Sequence, residues 1–409
     1  MTVPDGEATG LERVVRPRSS PELADAVIAL QATGERWVVR GGRGFESRLP
    51  PSPGAVTIET AGLSRIRSDR GDEVTVEAGV TWFELFEYLA RDRRRPVVLP
   101  DALRATVGAT LATGGAGDTS HRFGLAIDHV RELVVIAADG SRHRTHPSDD
   151  LFQYMLGGRG QLGVIAEATL AVASWPTTVA TRAYALPSLG AYLALVEAWR
   201  STLPFARARL FWRRVGGPNP VSVVLGVPAT GVSAAPPAIL PGATAASEPM
   251  LTNLVERERA APRSPPVARA RAPALHLILP LARAESLWSD IDAAVRATGL
   301  PARLRDGIAI AVVAPNPAFP LALRAAGGPC LLVSLEPHAS DEDEATRIAA
   351  WLRELAGHAV RAGAGIHAGG VEPTDARWPA VQYGELAWAA WRALKARYDP
   401  HRQCNPWHL

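Results

Sequence analysis

Asp101 is one possible proton acceptor in this chain. It stands just ahead of a run of small residues, Thr106-Val107-Gly108-Ala109-Thr110-Leu111-Ala112-Thr113-Gly114-Gly115-Ala116-Gly117-Asp118-Thr119-Ser120-His121. Such a run has little side-chain bulk and many backbone N–H groups, which suits it to lie against a phosphorylated, planar ligand. The same residues also read as a plain loop of a sheet protein, with Asp101 capping a turn after Pro100. Two further glycine clusters stand apart from it, Gly41-Gly42-Arg43-Gly44-Phe45-Glu46 and Gly157-Gly158-Arg159-Gly160. The first follows a strand without opening a helix, unlike the phosphate turn of a doubly wound dinucleotide fold.

Elements on either side must hold these runs in place. Ser20-Pro21-Glu22 reads as a helix start with Ser20 as N-cap, followed by Leu23, Val27 and Leu30 at helical spacing and a stop at Gly34. Trp37 to Val39, Val56 to Ile58 and Val74 to Val76 read as strands. Thr81-Trp82-Phe83-Glu84 is a capping box that opens a helix through Leu85 and Leu89. Val130 to Ala137 is a strand closed by the turn Asp139-Gly140, Ser148 caps a helix through Leu151 and Met155, and Val164 to Val172 is a last long strand. After Trp175-Pro176 the style changes. Helices are expected around Leu193 to Trp199, Glu285 to Ala297 and Asp341 to His358. Strands are expected near Phe211, Val221 to Val224, Leu275 to Leu279, Ile308 to Val313 and Cys330 to Leu335. Residues 228–273, rich in Ala, Pro and Ser, read as a loosely ordered stretch. Leu386, Trp388, Trp391 and Leu394 repeat along one helix face, and the two tryptophans are expected in the core.

Composition removes several chemistries. The chain has 409 residues, too many for one ordinary core, and is 47% apolar and 21% charged, as soluble globular proteins are. Lys395 is the single lysine, placed on a helix read as polar-faced. That argues against a Walker-type phosphate loop and a pyridoxal Schiff base, each of which needs a lysine in its site. Cys330 and Cys404 are the only cysteines and form no paired motif, so a disulfide framework or Cys-rich metal site is not expected. His276, His338, His358 and His367 read as isolated, and no metal is expected. Arg91, Arg93, Arg94 and Arg95 read as the solvated end of a helix rather than a nucleic-acid patch. No apolar run approaches the ~18 residues of a membrane span, and the first residues lack the basic and apolar regions of a signal peptide. A cytoplasmic protein is expected, with a small-molecule partner and neither nucleic acid nor membrane.

The glycine-rich motifs, in this order, resemble the FAD-linked oxidases of the p-cresol methylhydroxylase and vanillyl-alcohol oxidase fold, and within them the cytokinin dehydrogenases. Asp101-Ala102-Leu103-Arg104-Ala105-Thr106-Val107-Gly108-Ala109-Thr110-Leu111 is similar to the D-x-L-x-x-T-V-G-G-T-L of cytokinin dehydrogenases. Arg122-Phe123-Gly124 is similar to their R-[HY]-G, and Leu156-Gly157-Gly158-Arg159-Gly160-Gln161-Leu162-Gly163-Val164-Ile165 to their L-G-G-x-G-Q-F-G-[IV]-[IV]. Asp399-Pro400 and Asn405-Pro406-Trp407 stand where these enzymes have a D-P and a P-G-Q. The likeness is close over residues 12–175 and loose over 371–409.

The resemblance implies an α+β fold. A two-subdomain FAD-binding domain of the p-cresol methylhydroxylase type would span 1–175. An α+β substrate (cap) domain would span 176–370, and a segment over 371–409 would return to the first domain. FAD would bind through backbone N–H groups and through Arg40, Gly41, Gly42, Arg43, Gly44, Phe45, Thr106, Val107, Gly108, Thr110, Leu111, Gly114, Gly117, Asp118, Ser120, Gly163, Val164 and Ile165. The family's first loop is commonly G-R-G-H-S, whose histidine bonds covalently to the flavin. Here Phe45 and Glu46 stand in its place, so the flavin is expected to be held non-covalently. By resemblance Asp101 is the base that takes a proton from an amine while hydride goes to flavin N5, with oxygen or a quinone as electron acceptor. His121 is a candidate hydrogen-bond partner of flavin or substrate or else a structural histidine, Glu46 a candidate acid or a solvated loop carboxylate, and His367 a candidate facing the substrate. Oxidation of an alcohol, or a non-redox cyclisation or elimination beside a structural flavin, are the alternatives.

Overall fold

The computed structural model describes residues 13–42, 54–100, 102–174, 179–199, 205–210, 221–228, 244–245, 274–297, 307–312, 319–321, 328–337, 339–367, 370–372 and 377–406. The chain begins with β1 (Val14–Val15), helix α1 (Ser20–Thr33), β2 (Trp37–Arg40) and β3 (Val56–Glu59). The three strands form a parallel sheet in the order β1-β3-β2. Ser19 rather than Ser20 is the N-cap of α1, its hydroxyl accepting the Glu22 N–H at 3.3 Å. Ser20 is instead the first helical residue and is buried. Leu23, Val27 and Leu30 face the sheet, and Gly34, at φ 71°, ends the helix in the left-handed region that glycine favours.

A second sheet follows. Its elements are β4 (Ile66–Asp69), β5 (Glu73–Glu77), α2 (Trp82–Ala90), β6 (Arg94–Pro96), α3 (Val107–Leu111), α4 (Ser120–Phe123), β7 (Val130–Ala137), β8 (Arg142–Thr145), α5 (Asp150–Met155) and β9 (Gly163–Ser174). The order is β4-β5-β9-β7-β8, with β6 pairing the far end of β9, and every ladder is antiparallel. The capping box of α2 forms as its sequence dictates: the Thr81 hydroxyl accepts the Glu84 N–H at 3.1 Å, and Glu84 accepts the Thr81 N–H at 2.9 Å. Helix α5 is capped at Asp149, one residue later than Ser148. Of the four clustered arginines, Arg91 and Arg93 are exposed at the end of α2, as a solvated helix end requires, and the other two are not. Arg94 grips Asp69 through two bonds of 2.7 Å, and Arg95 is buried against Asp118.

The third sheet has eight strands in the order β13-β10-β12-β11-β15-β16-β14-β17. They are β10 (Val179–Leu186), β11 (Phe205–Leu210), β12 (Val221–Pro228), β13 (Thr244–Ala245), β14 (Leu275–Pro280), β15 (Gly307–Val312), β16 (Cys330–Leu335) and β17 (Gly365–Ile366). Helix α6 (Leu189–Trp199) packs on β10 and β12. Helices α7 (Ala284–Arg296) and α8 (Glu342–Ala362) pack on β14 and on each other. Apart from Pro228 and the short β13, the stretch 228–273 lies outside the described residues, and so does Phe211.

The chain ends in α9 (Trp378–Tyr383) and α10 (Glu385–Tyr398). The buried stripe of α10 is Ala387, Trp391, Lys395 and Tyr398. At about 100° per residue, Leu386 lies a quarter-turn off that stripe and is 89% exposed, although its spacing sets it on the face of the tryptophans. The same stripe draws Lys395 into the interior of a helix that reads as polar-faced. Residues after α10 return to the first sheet. Trp37 N–H donates to Gln403 O, and Asn405 N–H to Trp37 O, both at 2.8 Å. One apolar core runs from β5, β7, α2 and α5 into β14, β16, α7 and α8. A smaller one joins Leu23, Val27, Trp37 and Ile58 to Val134, Ile136 and Val164. Among the described residues no helix is long and apolar enough to cross a membrane.

Candidate functional site

Helix α3 is only five residues long, yet three glycine-rich connections converge on it. At its start the Val107 N–H donates to Val80 O and the Gly108 N–H to Ala78 O, both at 2.8 Å. A Cβ on Gly108 would stand 2.6 Å from the Cβ of Ala78, so glycine here lets the helix lie on the end of β5. The Val107 and Gly108 N–H groups are thus engaged in packing α3. From the other side comes the end of β2, where a Cβ on Gly41 would reach within 2.6 Å of the Thr106 hydroxyl. At the far end, the Gly157 N–H donates to Leu111 O at 2.9 Å and the Arg159 N–H to Ala112 O at 2.8 Å. Among the described residues around α3, the small positions that solvent reaches are Gly41, Gly42, Ala109, Ala112, Thr113 and Ala116. None of these is larger than threonine, and Arg104, Asp118 and Arg159 are partly exposed nearby.

The turn after α3 is held from behind. Gly114 and Gly115 adopt φ of 115° and 73°, and their carbonyls accept the N–H groups of Ile127 and Ala126. Gly117 bridges to Pro100, and its N–H donates to the Ser120 hydroxyl at 2.9 Å. Asp118 pairs with Arg95 at 2.7 Å, with both side chains largely buried. Asp118 and Ser120, two of the residues that the resemblance gives to the cofactor, are thus engaged in fixing this turn. A carboxylate removed from a buried pair leaves an uncompensated charge, so Asp118→Ala is expected to cost about 3–5 kcal/mol. Urea unfolding checks this, and a loss under about 1 kcal/mol would show that Arg95 finds other compensation. Behind the same turn, a Cβ on Gly124 would collide with the Asp128 carboxylate at 2.2 Å. Burial pushes that carboxyl up to about 6, opposed by the hydrogen bond from the Leu125 N–H.

The other sequence candidates fall into three groups. Arg43, Gly44, Phe45, Glu46 and Asp101 lie outside the described residues. Gly163, Val164 and Ile165 open β9 beside β7, and a Cβ on Gly163 would meet Ile136 O at 2.3 Å. Thr110 and Leu111 are buried in α3, and Arg40 ends β2, its carbonyl accepting the Thr60 hydroxyl. His121 is buried on α4, which packs against β15.

Two features escaped the sequence reading. Asn405 sits in the left-handed region at φ 45°. Its side chain donates to Gly160 O at 2.7 Å and accepts the Val39 N–H at 3.2 Å, tying the third glycine turn to the strand that leads into the first. The only local signal is an asparagine before a proline. In addition His276 and His367 are not isolated: their rings lie 6.3 Å apart, edge to face. Among the described residues no cluster could hold a metal ion.

Residues 11–146 match the FAD binding domain family. That stretch is an FAD-binding domain. It holds the first two glycine connections and the whole of α3. The chain is 30% identical over 182 residues to an uncharacterized oxidoreductase of the fasciation locus of Rhodococcoides fascians, covering 44% of this chain and 42% of that one. It is 32% identical over 152 residues to cytokinin dehydrogenase 4 of Arabidopsis thaliana, covering 35% and 29%. It is also 34% identical over 160 residues to decaprenylphosphoryl-beta-D-ribose oxidase of Mycolicibacterium smegmatis, covering 37% and 35%. The matches thus span less than half of these relatives. The resemblance drawn from the motifs holds at this level, that of an FAD-binding domain shared with flavin-dependent oxidoreductases.

Proposed function

We propose that this chain oxidises a small organic substrate, an amine at its C–N bond in preference to an alcohol, with FAD held non-covalently. The observation that carries the reading is the convergence of three glycine connections on α3, around a face that bears the small residues Gly41, Gly42, Ala109, Ala112, Thr113 and Ala116. Such a face fits a flat cofactor at van der Waals distance. Gly41, Gly42, Thr106 and Gly114 would hold the cofactor, joined by Arg40 and Arg43 where negative charge must be balanced. FAD, when bound, supplies a hydride acceptor at its N5 position. Asp101 then takes the proton of the amine N–H, the usual task of a positioned carboxylate. Phe45 offers no atom for a covalent link, which is the ground for non-covalent binding.

The pattern around Asp101 is the reason to prefer an amine, since it is the one that cytokinin dehydrogenases carry. Alcohol oxidation is the second reading, favoured by the 34% identity to a relative named as an oxidase of a ribose derivative. Anaerobic mixing with a panel of primary and secondary amines and the matching alcohols separates the two. Bleaching of the flavin by an amine is expected. Bleaching by alcohols alone would move the assignment to C–O oxidation, and turnover with the flavin still oxidised would remove both.

A further inference from the structure

His367 follows β17, the edge strand of the eight-stranded sheet, and its position is fixed from three sides. Its N–H donates to His276 O on β14 at 2.9 Å. The residue before it, Ile366, is clamped by the Gln382 side chain of α9, which accepts the Ile366 N–H and donates to its carbonyl, each at 2.7 Å. The ring then reaches the FAD-binding domain: its Cε1 would lie 3.3 Å from a Cβ placed on Gly114. Gly114 therefore gives the imidazole room at the glycine turn. Pro100, the neighbour of Asp101, reaches the same turn from the other side, 3.7 Å from a Cβ on Gly115. His367 and Pro100, from distant parts of the chain, thus approach one pair of glycines.

We propose that His367 faces the flavin and substrate space beside Gly114 and hydrogen-bonds the substrate there. The proposal rests on the flavin reading above and adds a residue that lies outside the FAD-binding domain. The groups around the imidazole explain its state. Burial, then His276, then Arg159 hold its pKa down, to about 3, so the ring is uncharged at neutral pH. His276 is anchored by Ser334 at 2.8 Å, and Arg159 is paired with Glu372 and lies over the Trp378 ring. Gln382, which holds the Ile366 backbone, is neutral. An uncharged imidazole offers one donor and one acceptor, which suits a free amine or a hydroxyl better than an ammonium ion.

Diethyl pyrocarbonate, which acylates neutral imidazoles that solvent reaches, tests the placement. Apoprotein and FAD-loaded protein are treated in parallel and acylation is mapped by peptide mass, with the exposed His358 as reference. At free FAD about ten times its Kd, acylation of His367 is expected to slow about tenfold by mass action while His358 is unaffected. Equal rates with FAD demonstrably bound, or no acylation of His367 in the apoprotein, would overturn the placement and leave the flavin reading intact. Failure to bind FAD at all would instead overturn the flavin reading and the proposal with it. For the hydrogen bond, His367→Gln is expected to keep the flavin spectrum and to raise KM about tenfold for an amine that bleaches the flavin, the scale of one lost hydrogen bond. An unchanged KM would contradict it.

Discussion

Asp101→Asn is expected to leave FAD bound and to slow flavin reduction by about 10²–10⁴-fold, the range for loss of a general base. The segment around Asp101 is anchored on both sides. Pro100 bridges to Gly117, and beyond it the Phe83 N–H donates to Leu103 O at 2.8 Å. The Asn side chain keeps the shape of Asp and one of its acceptor oxygens but takes up no proton at neutral pH, so the change tests basicity with little change of packing. Rapid-mixing reduction under argon, across a pH series, gives the rate and the titration together. The wild type should lose rate at low pH as the carboxylate protonates, and the variant should lose that limb. Reduction at near wild-type rate would remove Asp101 from the base role and leave His367 as the proton-handling group at the Gly114–Gly115 turn.

Lys395→Ala is expected to cost about 3–5 kcal/mol of stability, the usual penalty for removing one partner of a buried ion pair. Lys395 Nζ lies 2.7 Å from Asp399 and donates to the carbonyls of Gln161 at 2.6 Å and Cys404 at 2.8 Å. Asp399 in turn accepts the N–H groups of Gln403 and Cys404. The variant leaves a buried carboxylate and two carbonyls without their cation. Because Gln161 follows the third glycine turn and Cys404 precedes Asn405, the loss should also loosen the tie between that turn and β2. Urea unfolding with and without saturating FAD reads both effects. The double variant Lys395→Met/Asp399→Asn removes both charges while keeping an acceptor oxygen for one of the two N–H groups, and should recover part of the loss. A cost under about 1 kcal/mol for the single change would mean that solvent reaches the pair.

What was legible in the sequence follows the range of the interaction. The capping box at Thr81 and Glu84 is set by residues three apart and forms as read. The glycine motifs were found because close backbone approach forbids a Cβ, which leaves a mark on residue type at each position. The N-cap of α1 shifted by one because Ser19 and Ser20 are chemically alike and only backbone geometry separates them. Arg95, Lys395 and the two histidines were misread for a different reason. Their surroundings come from partners such as Asp118, 23 residues away, and Gln161, 234 residues away, which no local pattern encodes. Leu386 shows the converse. Apolar spacing placed it on a stripe whose true register is set by Trp391 and Lys395, and one step of 100° moved it to the surface.

The central claim, an FAD-binding chain that holds its flavin without a covalent bond, is tested most directly by the visible absorption spectrum. The spectrum is taken on the purified protein, after incubation with FAD and desalting, and again on the supernatant after acid precipitation. The expected result is a flavin spectrum that passes entirely into the supernatant. Colour that stays with the precipitate would contradict non-covalent binding, and a colourless protein that takes up no FAD would contradict the flavin assignment itself.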